Sequence, residues 1–254
     1  MVTETHLDRY YGSVSQGSRH IHHTVIRRAL RRALKERMIS SNPSRDMDNA
    51  PRRSRQRLSE DAQINCWSAA DARKFLTVAK DAGSQPAAFF SLALDTGAQK
   101  NELCALQWRD VDLTAGTVTV ERQLVSGGVK PKFGPTKTGQ TRITAINDET
   151  AKLLKAHKRQ QAALKMANRT AYHDHGLVFA KEWGQAFTRK DHLGEPLQSN
   201  NLGELMLDPL IKGAKVKRIT VHGLRHTAAT LILLAKIPVH VVAARLGHAD
   251  VTRR

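Results

Sequence analysis

Residues 220–248 read TVHGLRHTAATLILLAKIPVHVVAARLGH, and this stretch decides the architecture of the C-terminal part of the chain. Apolar residues recur at helical spacing over 221–235 and again over 238–246, which predicts two consecutive helices. Pro238 suits the first turn of the second helix, and Gly247 suits its C-terminal cap. The stretch therefore predicts a helical pair, with one histidine-containing string where the pair begins and another where it ends.

Upstream of this pair, the sequence predicts a mostly helical unit that contains a small sheet. Ser68 is a candidate N-cap, and Asp71 completes a capping-box pattern. A period of two predicts strands over 117–120 and 140–146, and a short strand is expected over 177–179. The expected fold class is mainly α with a small β hairpin or sheet (α+β). Further helices are expected over 72–79, 87–94, 101–108 and 148–167.

The charge balance points to a polyanionic partner. The 254 residues hold 41 Lys and Arg against 23 Asp and Glu, a formal net charge of +18. Nucleic acid is the commonest polyanion that such an excess serves. No apolar run approaches the roughly 18 residues of a membrane-spanning helix, and residues 1–10 carry no secretory apolar region. Cys66 and Cys104 cannot form a disulfide framework, so a reduced cytoplasm is expected.

The N-terminal part predicts a separate and smaller helical domain. A helix is expected over 24–38, where apolar residues share one face and basic residues crowd the others. A solvated basic face is the plainer interpretation of such a helix, and contact with phosphates becomes comparable once the overall charge is considered. We expect a partial helical domain over 1–55, a linker over 56–66 and a larger domain over 67–254. The residues expected to contact DNA are Arg27, Arg28, Arg31, Arg32, Lys35, Arg52, Arg53 and Arg55.

Three short strings carry side chains suited to chemistry at a phosphate: HGLRH over 222–226, LGH over 246–248, and TKTGQTR over 136–142. Arginine offers a fixed fork to nonbridging oxygens, histidine can donate or shuttle a proton, and lysine can protonate a leaving oxygen. Each string also has a plainer interpretation. His222 and His226 could bind zinc, although the glutamate of a zinc protease is missing. His248 could interact with a helix dipole, and Lys137 could be an ordinary exposed lysine.

Taken in order, these strings resemble those of a phage integrase of the tyrosine recombinase family. The family's pattern of Thr-Gly, a catalytic arginine and Glu-Leu is matched by residues 96–103, TGAQKNEL, with Gln99 at the position of the arginine. The resemblance covers the chain from about Trp67 to its C-terminus, and residues 1–55 resemble part of a core-binding domain. It implies the catalytic-domain fold of the tyrosine recombinases. The catalytic residues that it implies are Lys137, His222, Arg225 and His248.

The resemblance also implies a reaction and its partners. Such enzymes attack the scissile phosphate with a tyrosine hydroxyl, conserve the bond energy as a 3′-phosphotyrosine, and rejoin strands without metal, cofactor or ATP. The expected partners are double-stranded DNA at attachment-type sites and other recombinase protomers, with no membrane and no small-molecule substrate. The expected setting is DNA integration and recombination by a phage, prophage or other mobile element, in the bacterial cytoplasm with the nucleoid.

Two departures from the family pattern bear on activity. Gln99 has neither the charge nor the bidentate fork of an arginine, and losing one transition-state donor typically lowers a rate by about 10²–10³. The family's nucleophile follows the Leu-Gly-His histidine, whereas the tyrosines of this sequence are Tyr10, Tyr11 and Tyr172. We therefore expect a chain that is shorter than the family at both ends and that binds duplex DNA without cleaving it.

Two other functions stay open from the residues alone. A helix-turn-helix transcription regulator would account for the charge and for the helical pair over 227–248, though not for Lys137 or for residues 96–103. An RNA-binding protein is supported by basicity only, and an aromatic content of 5% provides few platforms on which bases could stack.

Overall fold

The computed structural model describes residues 2–45, 47, 50–51, 65–126, 130–182 and 192–247. The chain divides into two compact units, Met1–Gln63 and Ile64–Arg254, which we call the N-terminal and C-terminal units. No helix within these described ranges is long and apolar enough to cross a bilayer. The predicted linker over 56–66 falls almost wholly outside the described residues. Four predicted site residues also lie outside the described residues: Arg52, Arg53, Arg55 and His248.

The N-terminal unit contains helices α1 (Glu4–Ser13) and α2 (Arg19–Lys35). The predicted helix over 24–38 is thus part of α2, which begins earlier and ends three residues sooner. It ends at Lys35 because Arg37 adopts a left-handed backbone conformation, with φ of 57°, which cannot continue the helical repeat. The prediction from apolar spacing therefore identified the helix but not its ends.

A small core holds α1 against α2. Leu7 and Tyr11 are buried on α1, and Ile26 and Leu30 of α2 pack against them. The Tyr11 hydroxyl lies 3.0 Å from Nδ1 of His23, which gives the buried phenol a polar partner. Because so few apolar side chains are involved, this polar contact matters for the stability of the pair.

Seven helices belong to the described part of the C-terminal unit. Ser68 caps the first of them, accepting the Asp71 N–H at 3.1 Å as predicted, and Asn147 caps the fourth by accepting from Thr150. The sequence did not predict the short helix over 208–214. A π-helical turn at Gly203–Leu207 precedes it. The helices are α3 (Ala69–Asp81), α4 (Ser84–Thr96), α5 (Lys100–Leu103), α6 (Asp148–Ala167), α7 (Asp208–Ala214), α8 (Val221–Leu234) and α9 (Val239–Leu246).

Within the described residues, five short strands form two antiparallel sheets. The strands are β1 (Val111–Asp112), β2 (Thr117–Val120), β3 (Arg122–Ser126), β4 (Lys132–Pro135) and β5 (Arg142–Ala145). The first sheet has the order β1-β2-β5, and β3 pairs with β4 in the second. The predicted pairing partners, β2 and β5, do pair, in the register Val118 to Thr144. The stretch between them supplies β3 and β4, which the sequence did not predict.

The predicted helix over 101–108 is wrong beyond Leu103, where α5 ends. The chain then runs beside the segment around Leu177, because the Trp108 N–H donates to the Gly176 carbonyl and the Val178 N–H donates to the Leu106 carbonyl. The predicted strand over 177–179 likewise reduces to an isolated bridge between Gln107 and Leu177. Tertiary pairing therefore replaced helical hydrogen bonds in this part of the chain.

Helix α4 runs through the core and is buried on nearly every side. Aromatic rings pack along it edge to face, including Phe89 against Phe179 at a centroid distance of 5.0 Å. The backbone of the buried segment at 177–180 is satisfied by side chains from helices: Gln85 Nε2 donates to the Ala180 carbonyl, and His157 Nε2 donates to that of Val178, both at 2.7 Å. These bonds explain how an irregular segment can cross a buried region.

Candidate functional site

The start of α8 presents two of the predicted catalytic residues. Thr220 caps the helix by accepting the Gly223 N–H at 3.1 Å, and the cap fixes the first turn, which carries His222. Arg225 follows one turn later, so both side chains project from neighbouring positions on the helix. His222 is exposed, whereas Arg225 is only 7% exposed. The ring of His222 also meets that of His226 edge to face, with centroids 4.7 Å apart.

Arg225 links three separate parts of the sequence. Its Nη1 donates to the Gly97 carbonyl at 2.9 Å, and its Nη2 donates to the Leu246 carbonyl at 2.6 Å. Burial lowers the pKa of the Arg225 guanidinium, while the nearby Glu102 carboxylate acts in the opposite direction. The two hydrogen bonds join α8 to the Thr-Gly string and to the Leu-Gly-His string, so Arg225 has a structural role besides the predicted catalytic one.

Gly97 is placed where no other residue fits. It caps α4 in the left-handed conformation, with φ of 63°, and a Cβ atom built there would lie 2.3 Å from Cδ2 of Leu246. This close approach of α9 to the end of α4 is what brings the Leu246 carbonyl within reach of Arg225. The glycine of the Thr-Gly string therefore serves packing between the motifs.

Gln99, at the position of the family's first arginine, stands at the N-cap of α5. Its N–H donates to Oε2 of Glu102 at 2.8 Å, and its half-buried side chain lines the cleft described below. The amide can donate a hydrogen bond to an anion but adds no positive charge. Gln99 therefore lines the same cleft as His222 and Arg225.

A second arginine network supports this arrangement, and the sequence did not single it out. Arg142, at the start of β5, forms a bidentate ion pair with Glu102, with N–O distances of 2.9 and 2.6 Å, and its Nε donates to the Arg245 carbonyl at 3.1 Å. The Arg245 side chain in turn donates to the carbonyls of Asp95 and Ala145. The only local signal was that Arg142 and Glu102 each belong to a motif string.

A cleft of about 640 Å³ opens between α5, the start of α8 and the region around α7. Its walls mix cationic and anionic side chains with amides, a composition suited to a charged polar ligand rather than an apolar one. Arg218 and Asp208 form an ion pair within it at 2.7 Å. The charged or hydrogen-bonding side chains that line it include Gln99, Lys100, Glu204, Asp208, Arg218, His222 and Arg225.

Lys137 lies apart from this group in the structure. It occupies an exposed turn between β4 and β5, which is closed by a 2.9 Å hydrogen bond from the Thr136 hydroxyl to the Gln140 carbonyl. Among the described residues, those that line the cleft do not include Lys137. The turn joins β4 of one sheet to β5 of the other. The catalytic role of Lys137 stays a prediction.

The basic residues predicted on α2 are all exposed: Arg27, Arg28, Arg31, Arg32 and Lys35. The opposite side of the helix carries His23, Ile26 and Leu30, which face α1. Arg32 pairs with Glu36 at 2.8 Å, an exposed i,i+4 pair of small energetic value. The helix therefore offers a cationic face to a partner of the N-terminal unit.

Comparison with known proteins agrees with the motif pattern. The sequence model described as the phage integrase family matches residues 67–253. The chain is 23% identical over 202 residues to a tyrosine recombinase XerC-like protein of Caldanaerobacter subterraneus, covering 76% of this chain and 49% of that protein. It is 28% identical over 159 residues to the integrase of Staphylococcus phage L54a, covering 61% and 42%. The chain thus spans less than half of the length of either relative.

Solved structures share the fold. The integrase of the transposon Tn1549, in complex with transposon right end DNA, superposes with a TM-score of 0.69 at 20% identity, covering 99% of this chain and 79% of that one. A lambda integrase dimer bound to a core site gives a TM-score of 0.60 at 20% identity, covering 99% and 80%. At such identities the likeness shows the architecture alone, a mainly helical unit with small antiparallel sheets, as expected.

Proposed function

The chain belongs to the phage integrase family, and on that basis we propose that it is the DNA-binding and catalytic-fold portion of a site-specific recombinase of the tyrosine recombinase type. The observation that carries this proposal is the cleft in which Gln99, His222 and Arg225 converge from motifs more than a hundred residues apart. Duplex DNA is its substrate, other protomers of the same kind are its partners, and the bacterial cytoplasm is its place of action.

The residues of the cleft have separate tasks toward a phosphate of the DNA backbone. Arg225 supplies a buried positive charge next to the cleft, where the reduced solvation strengthens its attraction for a phosphorane. His222, exposed at the same wall, donates a hydrogen bond to a nonbridging oxygen. The resemblance assigns the leaving 5′ oxygen to Lys137, which lies on an exposed turn outside the residues that line the cleft. His248, outside the described residues, completes the predicted set.

The missing charge at Gln99 and the surroundings of the three tyrosines support the proposal that a polypeptide of these 254 residues has weak or no DNA-cleavage activity. Tyr172 is a poor nucleophile, because burial and the nearby Asp174 and Glu182 carboxylates raise the pKa of its hydroxyl. Tyr10 and Tyr11 belong to the N-terminal unit, where their hydroxyls lie 2.7 and 3.0 Å from histidines of α2. We therefore propose DNA binding without formation of a phosphotyrosine.

The experiment starts from a pool of random duplexes, from which the chain selects its own ligands. The selected duplexes are then prepared with a nick at successive positions. If the chain cleaves close to a nick, the short fragment between the two breaks diffuses away and the strand cannot be rejoined. The covalent protein–DNA adduct then accumulates and is detected on a denaturing gel. We expect retention of duplex, a steep loss of affinity with salt because phosphate contacts release counterions, and no adduct. An adduct would contradict the cleavage defect, and lack of binding at low salt would contradict the DNA-binding function itself.

The helix-turn-helix alternative is not favoured. A regulator of that type would place the exposed face of its second helix, here α9, in the major groove. That face carries the exposed His240, but beside it lie Val239 at 66% and Val241 at 44% exposure, apolar side chains that offer base edges no hydrogen bond. In addition, the buried Arg225 donates to the carbonyls of Gly97 and Leu246. A helix-turn-helix unit that binds DNA by itself would not need this contact with the Thr-Gly string.

A further inference from the structure

The cleft contains one arginine that belongs to none of the motif strings. Arg218 lies two residues before the cap of α8, and its guanidinium contacts Asp208 at 2.7 Å. Both side chains line the cleft together with Gln99. Since Gln99 is uncharged and the Arg225 guanidinium donates to two backbone carbonyls, Arg218 is the exposed arginine among the described lining residues.

We infer that Arg218 is a phosphate-binding residue of this cleft and that Asp208 occupies its guanidinium until DNA arrives. This inference rests on the proposed DNA-binding function. It adds to that function a phosphate-binding residue and the carboxylate that competes with the phosphate. A carboxylate and a phosphate each offer anionic oxygens that the arginine fork can bind, so Asp208 holds the place that a phosphate would take.

The backbone around Arg218 is fixed, whereas its side chain is free to change partner. Trp67 Nε1 donates to the Lys217 carbonyl at 2.7 Å on one side, and Ile219 is 2% exposed on the other. The Arg218 side chain itself is 73% exposed and that of Asp208 31%. Ion pairs in such solvated positions are weak, so exchange of the carboxylate for a phosphate costs little.

The charges that line the cleft show what exchange of Asp208 for a phosphate would achieve there. Arg218 gives an exposed arginine fork to the cleft that Gln99 also lines, and the ammonium of Lys100 adds a second cation to the same lining. The anions that oppose a phosphate there are Asp208 and Glu204, both on the segment that includes the π-helical turn and α7. Asp208 pairs with Arg218, whereas Glu204 is an exposed carboxylate of the same cleft that forms no ion pair with another described residue. Glu204 is therefore the matched control for Asp208.

The test measures binding of the full 254-residue chain to a fluorescent duplex of about 30 base pairs by anisotropy, over a range of salt concentrations. Arg218→Ala should weaken binding and reduce the slope of log affinity against log salt by about one, as expected for one lost phosphate contact. Asp208→Asn should strengthen binding by about two- to fivefold, the value of an exposed ion pair. Arg169→Ala, which removes an exposed arginine that does not line the cleft, should leave the slope unchanged.

The decisive comparison is a double-mutant cycle. The gain from Asp208→Asn should vanish in the Arg218→Ala background, and Glu204→Gln should give a smaller gain that persists there. A gain from Asp208→Asn that survives the loss of Arg218, or that Glu204→Gln equals, would overturn the inference, because it would show a general field effect. If the wild-type chain does not bind duplex at low salt, the proposed function fails instead. Arg218→Lys, which keeps the charge without the fork, should lie between wild type and Arg218→Ala and covers the case in which the alanine variant misfolds.

Discussion

The ion pair between Glu102 and Arg142 provides the sharpest test of how the site is held together. Both side chains are nearly buried, at 4% and 11% exposure, and they share two hydrogen bonds of 2.9 and 2.6 Å. Glu102 also accepts the N–H of Gln99, so its carboxylate fixes the start of α5 and the edge of the cleft. The informative change is Glu102→Ala.

The expected loss follows from what the substitution leaves behind. Removing one partner of a buried pair leaves the Arg142 guanidinium desolvated and without a counterion, which typically costs about 3–5 kcal/mol. Small domains have only about 5–15 kcal/mol of stability, so the C-terminal unit should become marginal. In the double variant Glu102→Ala with Arg142→Met the stranded Arg142 charge is gone, and the buried Arg225 guanidinium lacks the Glu102 carboxylate in both variants alike. We expect the double variant to be more stable than Glu102→Ala alone, losing about 1–2 kcal/mol for the hydrogen bond to the Arg245 carbonyl and for imperfect packing.

Urea unfolding followed by tryptophan fluorescence measures both variants. Trp67 and Trp108 lie in the C-terminal unit, so the signal reports on the unit that contains the pair. The free energy of unfolding is compared at equal m-value, which keeps the extent of exposed surface the same. A loss below about 1 kcal/mol for Glu102→Ala, against the 3–5 expected for a buried pair, would refute the reasoning. A double variant as unstable as the single one would show that the stranded arginine is not the cause.

Three further predictions concern single positions. Gly97→Ala should cost about 2–4 kcal/mol, since it combines left-handed strain with a clash against Leu246; Gly203→Ala, which meets no atom within 4 Å, is the control, and equal melting temperatures would contradict the packing argument. Burial raises the pKa of the Glu182 carboxyl from its ordinary 4.5 to about 7, so its stabilising contribution is complete at low pH and is lost as the pH rises through 7. From pH 5 to 8 the wild-type chain should lose about 2–3 kcal/mol relative to Glu182→Gln, measured by urea unfolding at each pH, and parallel curves would exclude the effect. Gln99→Arg should tighten duplex binding at low salt and steepen the salt dependence by about one phosphate contact, whereas an unchanged slope in anisotropy titrations would place residue 99 away from the DNA backbone.

The sequence alone determined the elements whose causes are local. The spacing of apolar residues located α8 and α9, and the caps at Ser68 and Gly247 are side-chain or backbone properties of single positions. Helix α6 has the limits 148–167 that its composition indicates. The motif strings also sufficed to identify the family, because they preserve residue type and order. A helix needs only its own neighbours to satisfy its hydrogen bonds, so a local pattern carries the information.

Only the tertiary structure decided how those elements converge. Helix α5 stops at Leu103 because residues 106–108 find hydrogen-bond partners about 70 positions later, around Val178. Glu102 meets Arg142 across 40 positions, and Arg225 joins the carbonyls of Gly97 and Leu246. Asp208 and Arg218 are ten positions apart, yet neither stands out in sequence, since an exposed acid and an exposed base look ordinary until they share a cleft. Each of these contacts joins side chains that have no periodic or spacing relation, so the fold had to place them before their roles could be recognised.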